Sequence, residues 1–301
     1  MKEISLKKYS KVMPFFVITT RAKTARHSWR FIVTILNDFF FLQLAQKFHF
    51  THRPLLNVGT ELDDRIPFSP AHVNDYMDFV PYFIRPISMM IKEMGYKKAA
   101  PYINEFLDML SKIYKNASYV YRRCMTTTVR PLYLKNPKFR AIHFFDSHLL
   151  CVPSIHVGIA SGVYTFFRHK FQDEQFDIPK EKCDKLLADI KKQSILIIES
   201  VLFVKQHSVN CVPVALYMLS SIFSPDFFAP RDAVEIINLL FVDNKEIDDE
   251  CRTEVIAHFN YMYERVFLES LYSENWRECI FRWMNDWAKQ TGQNISIDIT
   301  P

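Results

Sequence analysis

Residues 147–167 read SHLLCVPSIHVGIASGVYTFF, and residues 206–225 read QHSVNCVPVALYMLSSIFSP. Neither stretch contains Asp, Glu, Lys or Arg, and each carries a histidine near its start, His156 and His207. Each is about as long as a membrane span, yet neither is strongly apolar. The first holds His148 and His156, the second His207, Asn210 and Pro213. Two readings stand side by side: a pair of marginal spans, or two helices buried in the core of a bundle.

Working outward, helical periodicity dominates. In residues 101–120 the apolar side chains Ile103, Phe106, Leu107, Leu110, Ile113 and Tyr114 recur every three or four positions behind Pro101, which predicts a helix starting there. Residues 180–204 repeat the pattern, and residues 250–289, with Trp276, Trp283 and Trp287, predict a pair of amphipathic helices. Strand alternation is scarce, and the Pro-bearing segments 53–70 and 131–137 read as ordered loops. The fold class expected is all-α, a helical bundle. It divides into a basic N-terminal arm (1–30), a helical core (31–225) and a C-terminal helical extension (226–301).

Composition narrows the function. The chain has 301 residues, 49% hydrophobic and 24% charged, too apolar for an intrinsically disordered chain. Mean hydropathy is −0.06, too polar for an ordinary multi-span protein. Five glycines, with no Gly-x-Gly-x-x-Gly or Gly-Lys-Ser/Thr run, exclude the common nucleotide-binding fingerprints, and no cofactor is expected. The six scattered cysteines form no C-x-x-C pair and read as reduced thiols. Residues 1–30 carry Lys2, Lys7, Lys8, Lys11, Arg21, Lys23, Arg26 and Arg30 against Glu3 alone. Such an arm suits an anionic membrane surface or a solvated terminus. No nucleic-acid reader motif accompanies it.

The chemistry-bearing residues suit phosphate. Arg123 and Arg130 lie seven apart, with Arg122 beside them, and guanidinium forks neutralise non-bridging phosphate oxygens. One imidazole can attack phosphorus while another protonates the leaving oxygen. In this the chain resembles the type 2 phosphatidic acid phosphatase superfamily, whose pattern is Lys-x6-Arg-Pro, then Pro-Ser-Gly-His, then Ser-Arg-x5-His-x3-Asp. Arg123, Arg130 and Pro131 answer the first motif, Pro153-Ser-Ile-His156 the second, and Ser200 and His207 the third. Pro-Ser-Ile-His-Val and Val204-Lys-Gln-His207 look most like the inositolphosphotransferase branch. Thr60-Glu-Leu-Asp-Asp-Arg-Ile-Pro-Phe-Ser-Pro70 resembles the segment common before that branch's core.

The resemblance covers roughly residues 30–222. It implies a phosphomonoester hydrolase or phosphotransferase acting on a phosphorylated lipid or small phosphomonoester. His207 would be the nucleophile that forms a phosphohistidine, and His156 the general acid. Arg123, Arg130, Ser154 and Lys205 would hold phosphate oxygens. It also implies membrane association, with a soluble cytoplasmic form as the alternative. The departures are specific. Val201 stands where the pattern has Arg, and Cys211 where it has the Asp that orients the nucleophile. By analogy with a serine-protease triad, losing such a carboxylate costs on the order of 10⁴ in rate, unless Asp146 or another carboxylate supplies the role. Two further readings stay open. One is a catalytically impaired relative that binds a phosphate or lipid headgroup or acts as a scaffold. The other is a Cys₂His₂ metal site from Cys151, His156, His207 and Cys211. Asp63-Asp64 reads as a solvated loop, and Glu199 as a structural partner for an arginine.

Overall fold

A computed structural model describes residues 5–299, the side chain of Phe145 excepted. Lys2, Glu3 and the last two positions therefore lie outside the described residues. In chain order the α-helices are α1 (Met13–Thr20), α2 (Ala22–Ile35), α3 (Phe41–Lys47), α4 (Glu61–Arg65), α5 (Val73–Met77), α6 (Phe79–Met94) and α7 (Tyr96–Arg123). Then come α8 (Pro137–Phe145), α9 (Ile155–Lys170), α10 (Lys180–Phe203), α11 (Cys211–Ile222), α12 (Pro230–Leu239), α13 (Asp249–Ser270) and α14 (Trp276–Gln290). Two three-residue strands, β1 (Leu55–Asn57) and β2 (Met125–Thr127), pair in parallel. The chain is all-α.

The two uncharged stretches become the centre of the bundle. Helix α9 packs against α6, α7, α10 and α11. From Ile155 to Phe167 its residues are buried, His156 being the one partly open. Helix α11 is buried from Cys211 to Leu219. Charge is missing from both because each is walled in by other helices, where an unpaired ion is costly. At 16 and 12 residues both fall short of the ~20 that a span requires. Among the described residues no helix is long and apolar enough to cross a membrane.

Local sequence explains most boundaries. Helix α7 starts five residues before Pro101. The break is Gly95, whose φ of 75° closes α6 and opens α7. Glycine alone enters that left-handed region without a Cβ penalty. Two glycines on α9 bring it close to α7. A Cβ at Gly162 would sit 2.9 Å from Ile113 Cδ1 and 3.1 Å from Met109 Sδ. The basic arm is anchored through its buried residues, Leu6, Tyr9, Pro14, Ile18, Thr24 and Ser28, while Lys7, Lys8, Lys11 and Lys23 stay exposed. Leu6 is fully buried, and its N–H donates to Asp189 Oδ2 at 2.6 Å. The division at residue 30 falls inside α2.

The C-terminal extension closes over the core. Helix α13 packs on α11, and α14 on α13 and β1. Trp287 Nε1 donates to the Asn57 carbonyl at 3.0 Å, and the Gln293 amide bonds the same carbonyl and the Asn57 N–H, both at 2.8 Å. It is a cap on the strand pair that frames the site.

Candidate functional site

The short β1–β2 ladder gathers three loops. Beyond it, the Cys151 N–H donates to the Thr126 carbonyl at 3.2 Å, and the Val152 N–H to Thr126 Oγ1 at 2.7 Å. This docks residues 150–153 against β2, and the Tyr121 hydroxyl donates to the Pro153 carbonyl. Ser154 then caps α9, its Oγ accepting from the Val157 N–H. His156 is thereby placed in the first turn of α9. There the backbone N–H groups lack intrahelical acceptors and the helix dipole is positive.

His207 comes from the loop between α10 and α11. Its Nδ1 lies 3.1 Å from the Cys151 carbonyl oxygen. A carbonyl only accepts, so Nδ1 carries the proton and Nε2 presents its lone pair. That Nε2 lies 3.3 Å from both Ser154 Oγ and His156 Nδ1. The His156 ring is held by stacking on Tyr76, centroids 4.7 Å apart, and by Phe79 at 4.3 Å. Both imidazoles are held neutral, because burial penalises the cation. His156 is pushed down to about 3, and His207 well below its usual range, with His156 and His148 adding to the effect.

A second layer fixes this pair. His148 donates through Nε2 to the Gln206 carbonyl at 2.9 Å, with Thr127 Oγ1 3.3 Å from its Nδ1. Arg130 donates to Gln206 Oε1 at 3.0 Å and to the Asp146 carbonyl at 3.4 Å. Asp146 accepts from the His148 N–H at 2.9 Å and the Tyr76 hydroxyl at 3.4 Å. Asp63 closes the other side, its Oδ1 accepting from the Val209 N–H at 2.7 Å. Burial raises the Asp63 pKa against the pull of these N–H donors. Lys205 and His148 adopt left-handed backbone, φ 54° and 56°, an uncommon and costly conformation for residues with a Cβ.

Three openings meet here. A void of about 20 Å³, room for a water, touches His148, His156, His207 and Asp146. A cleft of about 240 Å³ reaches His207 between Gly59, Asp63, Thr128 and Lys205. An apolar cavity of about 360 Å³ ends at Asp146 and His156.

The candidate residues from sequence thus divide. His156, His207 and Ser154 converge; Arg130 is held behind them by Gln206 Oε1 and the Asp146 carbonyl, and it borders none of the three openings. Lys205 borders the cleft, but its ammonium donates to the carbonyls of Asp63 and Ile66, and burial lowers its pKa. Arg123 ends α7 with its guanidinium 3.6 Å from Asp298 and borders none of these openings. The Cys₂His₂ set is not assembled. Cys151 Sγ turns to the Gln206 carbonyl at 3.8 Å, and among the described residues no three His, Cys, Asp or Glu side chains are grouped to hold a metal. Cys211 opens α11 fully buried, its thiol pushed well up by burial. Among the described residues Glu199 forms no ion pair with an arginine; it accepts from the Phe241 N–H and the Asn244 amide.

Asp63 is a correction. The Asp63-Asp64 pair lies in α4 and not in a loop, and only Asp64 is solvated; Asp63 forms a capping box with Thr60 and braces the segment after His207. The Thr-x-x-Asp spacing carries that signal. The orienting carbonyl of Cys151 was invisible, since a backbone group leaves no mark on residue identity.

No family model, curated protein or solved structure matches this chain.

Proposed function

We propose that the protein is a phosphomonoester hydrolase or phosphotransferase acting on a lipid-like phosphate through a phosphohistidine at His207. The observation that carries this is the tautomer of His207. With Nδ1–H bonded to the Cys151 carbonyl, Nε2 is the nucleophilic atom, and it faces His156 and Ser154. Nε2 attacks phosphorus as the P–O bond to the alcohol breaks. The departing oxygen takes its proton from His156, which acquires that proton when a bound phosphate dianion offsets the cost of its charge. Water, or an acceptor alcohol, then attacks the phosphohistidine, gives its proton to His156 and frees His207. First-turn N–H groups of α9 and the Ser154 hydroxyl are the donors at hand for the phosphoryl oxygens, and Arg130 would have to leave Gln206 and Asp146 to join them.

A second reading is a binding relative without turnover. It is favoured by the cations: Arg130 is engaged by Gln206 and Asp146, and Arg123 lies against Asp298. The experiment is phosphate release from lipid and soluble phosphomonoesters, with acid-labile protein phosphorylation followed in parallel. Release and labelling that vanish in His207→Ala support the first reading. A folded, lipid-supplied protein with neither supports the second.

A further inference from the structure

The cavity that ends at His156 and the outer surface of the helices that roof it belong together. Cavity walls come from Phe15 and Ile18 on α1, Phe31 and Ile35 on α2, and Phe79 and Phe83 on α6. Interiors ordinarily leave few voids larger than a water. A cavity of about 360 Å³ instead lies within the ~300–1,000 Å³ range of ligand pockets. The two hydroxyls contributed by α1 and α2 are already spent on backbone: Ser28 Oγ donates to the Ile18 and Thr24 carbonyls, and Thr19 Oγ1 to the Phe15 carbonyl. The titratable groups of the site that reach it are Asp146, Tyr76 and His156, and Tyr114 also stands on its wall.

The outer face of the same helices is apolar as well. Trp29, Val33, Leu36, Phe40 and Leu44, with Phe48 at the C-cap of α3, are all exposed, from 41% at Phe40 to 60% at Phe48. Apart from the three-residue step from Val33 to Leu36, the steps are four residues; they overshoot a 3.6-residue turn, and the stripe would drift around the helix. A π-helical turn over Leu36–Phe40 joins α2 to α3 and takes up the overshoot. Lys11, Arg26 and Lys47 are exposed on these segments, beside exposed Phe15 and Phe16. An apolar face with cations beside it matches an anionic bilayer surface. Phe15 and Phe40 are both exposed and part of the cavity wall, so the cavity opens where this face would meet lipid.

We propose that the α1–α3 face docks on an anionic bilayer and that the cavity between α1, α2 and α6 draws in one hydrocarbon chain of a membrane amphiphile, delivering its headgroup to His156. Only the identity of the headgroup as a phosphate rests on the proposed function. The chain site stands on cavity and surface alone.

The test uses the full chain and the fluorescent fatty acid cis-parinaric acid, displaced by palmitate, with pelleting on phosphatidylcholine vesicles with and without phosphatidylserine. Saturable binding is expected, retained in His207→Ala and weakened at least about tenfold, ~1.4 kcal/mol, in Ile35→Trp. Ile32→Trp, on the same wall, serves if Ile35→Trp unfolds. Pelleting is expected with phosphatidylserine and is lost in Trp29→Glu/Phe48→Glu, both on the exposed stripe. A folded protein that does not bind parinarate overturns the proposal, as do blocked variants that bind like the native chain or an absence of pelleting on anionic vesicles. Because the probe carries no phosphate, chain binding without phosphate release would sink the phosphatase reading and leave this one standing.

Discussion

His207 Nδ1 donates to the Cys151 carbonyl oxygen across 3.1 Å, so a backbone acceptor holds the imidazole that the sequence pattern assigns to a carboxylate. Cys211, at the position of that carboxylate, is sealed at the start of α11. On the proposed function, an acid placed at Cys211 should therefore not speed catalysis. Cys211→Asp is expected to leave phosphate release unimproved and to destabilise the fold by at least about 1–3 kcal/mol, the cost of a poorly satisfied buried polar group. His207→Ala should abolish release. A Cys211→Asp variant that is stable and faster than the native chain would overturn the assignment of the carbonyl as the orienting group.

The neutral histidines make stability pH-dependent. Above pH ~6.5 both folded and unfolded imidazoles are neutral. As pH falls, the unfolded chain takes its protons first, while His156 resists down to about 3. The stabilisation is thus full above ~6.5 and declines by up to about 1.4 kcal/mol per pH unit for each such histidine. His156→Phe, which keeps an aromatic ring between Tyr76 and Phe79, should flatten this decline between pH 6.5 and 4. Denaturant midpoints across that range measure it; parallel curves for variant and native protein would refute it.

Asp63 should matter far beyond α4. Its two carboxylate oxygens accept from the Thr60 and Val209 N–H groups, at 2.9 and 2.7 Å. Bonds to a charged acceptor contribute about 1.5–3 kcal/mol each, and burial of the carboxylate, which raises its pKa, offsets part of the pair, so Asp63→Ala is expected to cost about 2–4 kcal/mol. Asp63→Asn, keeping one acceptor oxygen, should cost less. Chemical denaturation gives both numbers, and a loss under about 0.5 kcal/mol, as for an ordinary surface site, would return Asp63 to the solvated surface.

The two glycines on α9 should respond differently. At Gly162 an added Cβ meets Ile113 and Met109 at 2.9 and 3.1 Å, whereas at Gly158 the nearest atom is 3.2 Å away and the next 3.5 Å. Gly162→Ala, whose Cβ forces the ends of the Ile113 and Met109 side chains to shift, is expected to destabilise by about 1–3 kcal/mol through overpacking. Gly158→Ala, gaining up to ~1 kcal/mol of helix propensity, should stay within about 1 kcal/mol of the native chain. Equal losses at both positions would mean that the α7–α9 approach is not what selects glycine.

What residue order alone determined is local. The 3.6-residue recurrence in 101–120, 180–204 and 250–289 predicts helices that are present as α7, α10 and the α13–α14 pair, because that period follows from the geometry of one helix lying on one core. The all-α class follows in turn, and the charge-free runs marked the buried centre, since only uncharged side chains survive there unpaired. The tertiary structure decided which of the phosphate-suited residues meet. Arg123 and Arg130 share a motif, yet β2 and the turn after it send them apart, one to Asp298 and the other to Gln206. The group that orients His207 is a main-chain carbonyl, identical in every amino acid, and only the docking of residues 150–153 on β2 brings it within reach. Spacing along a chain constrains what a helix shows to its neighbours; contact across 56 residues is settled by how loops pack.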